Sequence, residues 1–245
     1  MKPLALITGA SRGIGYEIAI TLAKVGYNIA FCYRNQHQQA KELQKALEEI
    51  DAEVFCMACD VANEESVENF FVQLSERFEH LDLLVNNAGQ MRNGVLATMS
   101  VDDMRTVLET NVIGTMLFCK YVLQIMIPMR KGCIINLSSC AATMPQRGQS
   151  NYAASKGAVE SLTRALAVEV AGKNIRVNCV SPGVIKTDMA TEMLDRYGDR
   201  LRQKLLAKNV GEPDDIARAV LFLADPKNHY ITGEVLAVNG GLYLG

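Results

Sequence analysis

The sequence predicts an α/β fold, a single-domain sheet of about seven parallel strands flanked by helices. Two observations lead to this prediction. Short apolar runs of four to six residues, many of them β-branched, recur along the chain, and stretches with helical periodicity separate them. Strands that are apolar on both faces are typical of a parallel sheet covered by helices on both sides. The 245 residues contain no repeat, low-complexity segment or Pro/Gly-rich linker, so we expect one domain over residues 1–245.

The elements follow one another in a regular order. The predicted strands lie at residues 4–8, 28–33, 54–58, 81–86, 133–137, 176–180 and 235–238. The clearest helical stripes are Ile14, Ile18, Leu22 and Val25; Leu43, Leu47 and Ile50; and Val159, Leu162, Leu166 and Val170. Long helices are expected near residues 102–127 and 152–171. Residues 188–210 carry many charges, and they predict either a helical flap over the crevice at the carboxyl ends of the strands or an ordinary pair of surface helices.

Charge and hydropathy exclude several classes of function. The net charge is −2, from 25 basic and 27 acidic residues, and no basic block stands out, so we expect no nucleic-acid partner. No apolar run approaches the roughly 20 residues of a transmembrane helix, so we expect no membrane span. The apolar run at residues 4–7 is too short for a signal peptide. These features favour the cytoplasm.

Cysteine usage predicts reduced thiols rather than a metal or disulfide site. The chain has seven cysteines, an odd number, and most lie inside apolar runs. Cys56 and Cys59 have CxxC spacing, but no second pair and no nearby histidine completes a zinc tetrad. We therefore expect no metal.

A glycine-rich segment follows the first predicted strand and runs directly into a helix. Glycines allow a phosphate to approach the backbone, and the start of a helix offers free N–H groups and a positive partial charge. Strand, tight turn and helix are the context of a dinucleotide site in a Rossmann-type doubly wound sheet. The predicted cofactor-binding residues of this loop are Gly9, Ser11, Arg12, Gly13, Ile14 and Gly15.

The residues after the second strand favour NADP(H) over NAD(H). An NAD site usually places an acidic side chain there, about 20 residues past the glycines. This chain has Arg34 instead, and Arg12 in the glycine loop could join it. Arginine suits a 2′-phosphate, whereas an acid would repel it.

Tyr152 and Lys156 are four residues apart on a predicted helix and so share one face. The pKa of a free tyrosine is near 10, and lowering it by about three units takes roughly 4 kcal/mol. One cation at about 4 Å supplies about 4 kcal/mol at an effective dielectric constant of about 20. We therefore expect Lys156 to lower the pKa of Tyr152. Asn111 lies in an apolar helical period, where a buried amide needs partners.

Five motifs in this order resemble the short-chain dehydrogenase/reductase family, and the resemblance runs from Thr8 to Gly245. They are the GxxxGxG spacing of the glycine loop, Asn86-Asn87-Ala88-Gly89, a serine 13 residues before the tyrosine, YxxxK, and Ser181-Pro182-Gly183-Val184-Ile185-Lys186-Thr187-Asp188-Met189. The resemblance implies the catalytic set Asn111, Ser139, Tyr152 and Lys156. It also implies further cofactor contacts from Asp60, Val61, Asn87, Ala88, Gly89, Tyr152, Lys156, Pro182, Gly183, Ile185 and Thr187.

The same resemblance implies hydride transfer from a nicotinamide to a carbonyl carbon. Tyr152 would protonate the alkoxide, Ser139 would bind the oxygen, and Lys156 would hold the nicotinamide ribose. Asn111 would hold a water that reloads the proton relay. Ser138 would face the other side of its strand, which makes it a poorer candidate than Ser139.

The overall pattern is similar to the members of the family that reduce 3-oxoacyl-[acyl-carrier-protein] in fatty-acid synthesis. Segments 149–152, 182–183 and 238–243 are typical of them, and Arg130 and Lys173 fall at their carrier-protein docking positions. Departures are Ala142, Asn93, Cys140 and, mildly, Lys173, where arginine is commoner. The alternatives are reduction of acetoacetyl-CoA or another free carbonyl, including a hydroxysteroid, or a non-catalytic NADP(H)-sensing protein. The resemblance also implies a homotetramer that uses the helices near 102–127 and 152–171, with the apolar residues 242–244 covered by a partner subunit.

Overall fold

A single parallel sheet organises the computed structural model, which describes residues 2–188 and 190–244, without the side chains of 192, 193, 196, 197, 199 and 200. Its strand order is β3-β2-β1-β4-β5-β6-β7. The strands are β1 (Leu4–Thr8), β2 (Asn28–Tyr33), β3 (Val54–Ala58), β4 (Leu83–Asn86), β5 (Gly132–Leu137), β6 (Ile175–Pro182) and β7 (Val235–Val238). The predicted α/β fold is confirmed. The order reverses between β1 and β4, which opens a crevice at the carboxyl ends of these strands.

Four predicted strands have the observed bounds, and three differ at their ends. β4 begins at Leu83, two residues later than predicted, and the Asp82 side chain just before it accepts from Leu4 N through Oδ2 at 2.9 Å. β6 continues to Pro182 because β7 pairs with it as far as Val238. A proline is tolerated at this strand end, where its missing N–H interrupts no further ladder bond.

Helices cover both faces of the sheet. They are α1 (Gly13–Lys24), α2 (His37–Glu48), α3 (Glu64–Ser75), α4 (Val101–Leu108), α5 (Gly114–Met129), α6 (Ser150–Val170), α7 (Thr191–Lys204) and α8 (Pro213–Ala224). Apolar side chains of α1, α2 and α8 form one core layer, and those of α3, α5 and α6 form the other. Val25 belongs to neither layer, contrary to the predicted stripe. It caps the end of α1 and is 53% exposed.

The long helix expected near 102–127 is interrupted by one turn of π-helix. α4 and α5 are joined through Glu109–Ile113, which has π geometry. Such turns shift the register of a helix and often occur at functional sites. This turn contains Asn111, one of the predicted catalytic residues.

The helical stretch Val101–Met129 is long and apolar enough to cross a membrane by length and composition alone, with a mean hydropathy of 1.6. Charged residues, among them Lys120, interrupt this stretch, so no uncharged run within it approaches 20 residues. Its α5 part packs against α3, α6, β4 and β5, as a core helix does. Its apolar character also reflects large side chains that are exposed, namely Leu108, Ile113, Met116, Ile127 and Met129.

The seven cysteines are free thiols in the structure. Cys56 of the CxxC pair donates a hydrogen bond from Sγ to Gln44 Oε1 at 3.2 Å. Among the side chains that the structure describes, no group of three or more His, Cys, Asp or Glu residues is placed to hold a metal ion.

Candidate active site

The glycine loop lies at the carboxyl end of β1, beside the crevice. Gly9 and Gly13 have φ of 65° and 59°, in the left-handed region that side chains disfavour. A Cβ on Gly15 would lie 2.5 Å from Asn87 Nδ2 and 2.7 Å from Gly9 O. The loop therefore needs glycine at these positions, and it forms a cradle in which the backbone is accessible to a ligand.

Thr8 and Asn87 hold this loop against the end of β4. Asn87 Nδ2 donates to Thr8 O at 2.9 Å and to Gly9 O at 3.0 Å. Thr8 Oγ1 accepts from the backbone N–H groups of Asn87 at 3.0 Å and Ala88 at 2.9 Å. Sequence reasoning missed Thr8 as a site residue. Its position directly before the first glycine was the available signal.

The start of α1 is open to an anion. Its N-cap residue, Arg12, makes no side-chain capping bond, and the first turn has no acidic residue. The N–H groups of Gly13, Ile14 and Gly15 therefore have no capping side chain, as a pyrophosphate site requires. These features fit the phosphates of a dinucleotide.

The two arginines predicted at the 2′-phosphate differ in their surroundings. Arg34 is exposed just after β2 and has no hydrogen-bond or ion-pair partner among the described residues. Arg12 Nη1 instead bonds to Asp188 Oδ2 at 2.9 Å. Both side chains of this pair are mostly exposed, so the ion pair is weak and open to exchange with another anion.

The predicted adenine side lies where β3 ends. Asp60 Oδ1 accepts from Ala62 N at 3.0 Å, and Asp60 N donates to Ser66 Oγ at 3.1 Å. Val61 is buried beside them. Asp60 is thus held by its own loop, next to the Arg34 end of β2.

Tyr152 and Lys156 lie on the first two turns of α6. Lys156 is 5% exposed, and its Nζ donates to Leu137 O at 2.8 Å. Nζ also lies 5.7 Å from the centre of the Tyr152 ring. Burial lowers the pKa of Lys156 to about 8. The ammonium is therefore mostly charged at neutral pH and loses its proton within the range of ordinary assays.

Burial has the opposite effect on the tyrosine. It raises the pKa of Tyr152 to about 12, although the neighbouring Ser139 hydroxyl acts to lower it. Burial is the largest influence on this pKa in the structure, and Lys156 Nζ is directed to Leu137 O. The lowering of the Tyr152 pKa by Lys156, with an oxidised nicotinamide adding to it, stays a prediction. A phenol of this kind stays protonated and can act as an acid.

Ser139 lies at the end of β5 and caps the short turn Cys140–Ala142, with its Oγ accepting from Ala141 N at 3.2 Å. The hydroxyl proton remains available to a substrate oxygen. Ser138 faces the other way, as its strand position predicts, and donates to Glu160 Oε1 at 2.9 Å.

Asn111 is 1% exposed, and its amide is fully engaged. Its Nδ2 donates to Gln90 O and to Ser155 Oγ, each at 2.9 Å, while its Oδ1 accepts from Gln90 N at 2.7 Å. Ser155 Oγ in turn donates to Tyr152 O at 2.7 Å. The buried amide thus has the partners that its position demands, and it ties the π turn to the end of β4 and to α6.

Gly89 lies where the Asn111 and Lys156 side chains approach each other. A Cβ there would lie 3.4 Å from Asn111 Oδ1 and 3.5 Å from Lys156 Nζ. The predicted catalytic residues Asn111, Tyr152, Lys156 and Ser139 are therefore gathered from three elements at one end of the sheet.

The predicted nicotinamide segment begins at the end of β6. Gly183 N donates to Val238 O at 2.9 Å, and a Cβ on Gly183 would lie 2.7 Å from Asn239 Cα. Ile185 is buried, and Thr187 Cγ2 lies 3.4 Å from the Cβ position of Gly13. The segment therefore reaches the glycine loop. Met189 of the predicted motif lies outside the described residues.

The two predicted carrier-docking residues are neighbours on the surface. Arg130 ends α5 with φ of 51°, and its Nη2 donates to Gly172 O at 3.0 Å. Lys173 follows Gly172 and is exposed. Pro182, which is predicted as a cofactor contact, is the last residue of β6 and lies away from this surface pair.

Comparison with known proteins places this geometry in context. A family model described as "Enoyl-(Acyl carrier protein) reductase" matches residues 9–243. The chain is 38% identical to the 3-oxoacyl-[acyl-carrier-protein] reductase FabG of Staphylococcus epidermidis over 244 residues, which cover 100% of both chains. It is also 38% identical to the human 3-oxoacyl-[acyl-carrier-protein] reductase, over 100% of this chain and 99% of that one. The solved structure of levodione reductase superimposes with a TM-score of 0.93 at 30% identity, covering 98% of this chain and 96% of the other.

Proposed function

The chain belongs to the short-chain dehydrogenase/reductase family, whose members use NAD(P)(H), and from this premise we propose that it reduces 3-oxoacyl-[acyl-carrier-protein] to 3-hydroxyacyl-[acyl-carrier-protein] with NADPH, in fatty-acid synthesis. One observation supports the assignment of a reductase activity. Tyr152, with a pKa raised to about 12, lies beside a buried Lys156 and Ser139 at the crevice end of the sheet. That arrangement suits donation of a proton to an alkoxide.

In the proposed reaction a bound nicotinamide would supply the hydride, and the chain would supply position and the proton. The glycine loop and the open start of α1 would hold the phosphates of the dinucleotide. Ser139 donates a hydrogen bond to the carbonyl oxygen, and Tyr152 delivers its phenolic proton to that oxygen as negative charge develops. The Lys156 ammonium stabilises the tyrosinate left behind and binds the nicotinamide ribose. Asn111 fixes the π turn, where a water reloads the relay.

We assign NADPH rather than NADH because of Arg34. Its exposed guanidinium at the end of β2 lacks a partner among the described residues, and no acid stands beside it in the chain. The exposed Arg12–Asp188 pair can open to supply a second guanidinium. A 2′-phosphate near −2 charge would satisfy both.

Arg34→Asp is expected to lower kcat/KM for NADPH by about 10- to 100-fold, which corresponds to the loss of one charge-assisted bond plus repulsion. The same change should leave or improve kcat/KM for NADH. Steady-state kinetics with both cofactors measures the ratio. Arg77→Ala is the matched control, because Arg77 pairs with Glu53. Glu53 directly precedes β3, so this pair lies at the end of the sheet opposite the crevice. An unchanged NADPH/NADH ratio in Arg34→Asp would contradict the assignment.

The substrate assignment is tested by NADPH oxidation with acetoacetyl-[acyl-carrier-protein] beside acetoacetyl-CoA. We expect a strong preference for the carrier-bound substrate. Lys173→Glu should lower its kcat/KM by about tenfold or more, since an acidic carrier is steered by exposed positive charge. The same variant should leave the CoA thioester unaffected, and Lys45→Glu on the exposed face of α2 should change neither.

Activity on acetoacetyl-CoA alone, or on neither thioester, would discard the carrier assignment and leave the runner-up. That alternative is reduction of acetoacetyl-CoA or of a free carbonyl compound, including a hydroxysteroid. The similarity to levodione reductase favours it. A non-catalytic NADP(H)-sensing role is disfavoured, because Asn111, Ser139, Tyr152 and Lys156 are all present.

The same proposal includes the cytoplasm as the compartment and a homotetramer as the assembly. The exposed apolar side chains of Val101–Met129 support subunit contact, and so does Val168 on α6, which is 79% exposed. Leu244 near the end of the chain is 80% exposed, as a residue covered by a partner would be. A single domain over 1–245 and a flap over 188–210 stay predictions. α7 lies within that flap segment.

A further inference from the structure

Glu160 is a buried acidic residue to which the proposed reaction gives no role. It lies on α6, one turn beyond Lys156, and is 9% exposed. Burying a carboxylate is costly unless it has hydrogen-bonded partners. An apolar residue would pack on this face of the helix without that cost. The position of Glu160 therefore calls for an account of what its carboxylate contacts.

The carboxylate joins α6 to the end of β5. Glu160 Oε1 accepts from Ser138 Oγ at 2.9 Å, and Ser138 Oγ also lies 3.2 Å from Lys156 O. The single hydroxyl proton of Ser138 is thus directed at the turn of α6 that begins with Lys156. The other carboxylate oxygen, Oε2, lies 3.7 Å from Arg164 Nη2, whose side chain is mostly exposed.

Ser138 is the neighbour of Ser139, and the two side chains point to opposite sides of the strand end. Ser138 is itself 4% exposed, and its backbone N–H donates to Val180 O at 2.8 Å. A bond that fixes the Ser138 side chain to α6 therefore fixes the distance between Ser139 and the tyrosine and lysine of that helix. Charge assistance makes this bond stronger than an ordinary hydroxyl contact.

We propose that Glu160 is a positioning residue: by holding Ser138, it sets Ser139 at its working distance from Tyr152 and Lys156. The inference rests on the proposed function, because that function makes these three the reacting groups. Small displacements matter at such a site, since a misplacement of about 1 Å can cost about 100-fold in rate.

Four variants separate positioning from stability. In Glu160→Gln the amide oxygen can still accept from Ser138, so kcat should stay within about threefold of wild type. In Glu160→Leu the Ser138 hydroxyl loses its charge-assisted acceptor and keeps only the longer contact with Lys156 O at 3.2 Å, so kcat should fall about 10- to 100-fold with KM within about twofold, and stability should fall as well. Ser138→Ala/Glu160→Leu removes both polar partners, so it should regain stability while kcat stays low. Arg164→Ala is the control and should behave as wild type.

The kinetic substrate is whichever carbonyl compound the wild type reduces with NADPH. A second readout is the NMR signal of the Tyr152 phenol carbon in protein with labelled tyrosine, identified by its loss in Tyr152→Phe. That signal should move in Glu160→Leu and in the double variant, and it should stay in place in Glu160→Gln. If the double variant regained both stability and kcat, or if Glu160→Leu kept full kcat, Glu160 would be structural only. A wild type that turns over no carbonyl compound would overturn the proposed function, and the tyrosine signal would still decide the role of Glu160.

Discussion

Replacement of Tyr152 by phenylalanine is expected to lower kcat for carbonyl reduction by about 10³-fold. The phenol is the group that gives its proton to the alkoxide, and removal of a general acid typically costs about 10²- to 10⁴-fold. The ring itself fits the same space, because phenylalanine lacks only the hydroxyl. The KM for NADPH should therefore change little, and the loss should appear in kcat.

Steady-state kinetics with saturating NADPH measures this effect. Tyr230→Phe is the matched control, since that side chain is 95% exposed. Tyr230 also precedes β7, whereas the crevice lies at the carboxyl ends of the strands. It should leave kcat unchanged. A kcat for Tyr152→Phe within tenfold of wild type would show that another group supplies the proton.

Burial holds the pKa of the Tyr152 phenol at about 12, so the free enzyme keeps this group protonated through neutral pH. Proton donation leaves a buried tyrosinate, so the site needs groups that stabilise that anion. Lys156 supplies the positive charge for this.

The fold could be predicted from the sequence because its signals are local. Strands such as Leu4–Thr8 and Asn28–Tyr33 are continuous apolar runs, and their bounds follow from composition alone. The glycine loop is also a local pattern. The start of β4 was less predictable: it lies at Leu83 rather than at residue 81, next to Asp82, which accepts from Leu4 N 78 residues away along the chain.

The electrostatics of the site could not be predicted in this way. The i,i+4 spacing places Lys156 beside Tyr152, but it carries no information on burial, and burial decides both pKa values. The pairing of Arg12 with Asp188 joins residues 176 apart, and the contact between Ser138 and Glu160 joins a strand to a helix. Such contacts depend on the tertiary fold, so residue identity alone leaves them open.

Replacement of Lys156 by methionine is expected to lower kcat about 10²- to 10³-fold, because the developing tyrosinate loses its cation in a site of low dielectric. In the wild type, a rise in pH should have a similar effect on the rate, because it removes the proton of the Lys156 ammonium. Burial lowers the pKa of Lys156 from 10.5 to about 8, so the rate of reduction should fall as pH rises above about 8 and the ammonium is lost. The methionine variant should lack this alkaline limb. A limb that persisted in the variant would assign it to another group.

The same substitution should make the folded protein more stable at pH 7. A lysine whose pKa falls from 10.5 to about 8 on folding weakens the native state by about 3 kcal/mol at pH values below both. Loss of the bond to Leu137 O offsets about 1 kcal/mol of the gain, so the free energy of unfolding should rise by about 2 kcal/mol.

The buried charge of Lys156 destabilises the folded state, whereas a paired charge usually stabilises it. Between pH 8 and 10.5 the unfolded chain binds the lysine proton and the folded chain does not, so wild-type stability rises with pH across that window. The advantage of Lys156→Met should therefore shrink toward pH 10. Urea unfolding of both proteins at pH 7 and pH 10 measures it. The opposite result would be a variant that is less stable than wild type at pH 7 and by the same amount at pH 10. It would mean that the folded state stabilises the Lys156 ammonium, so that burial of this charge costs the folded protein no free energy.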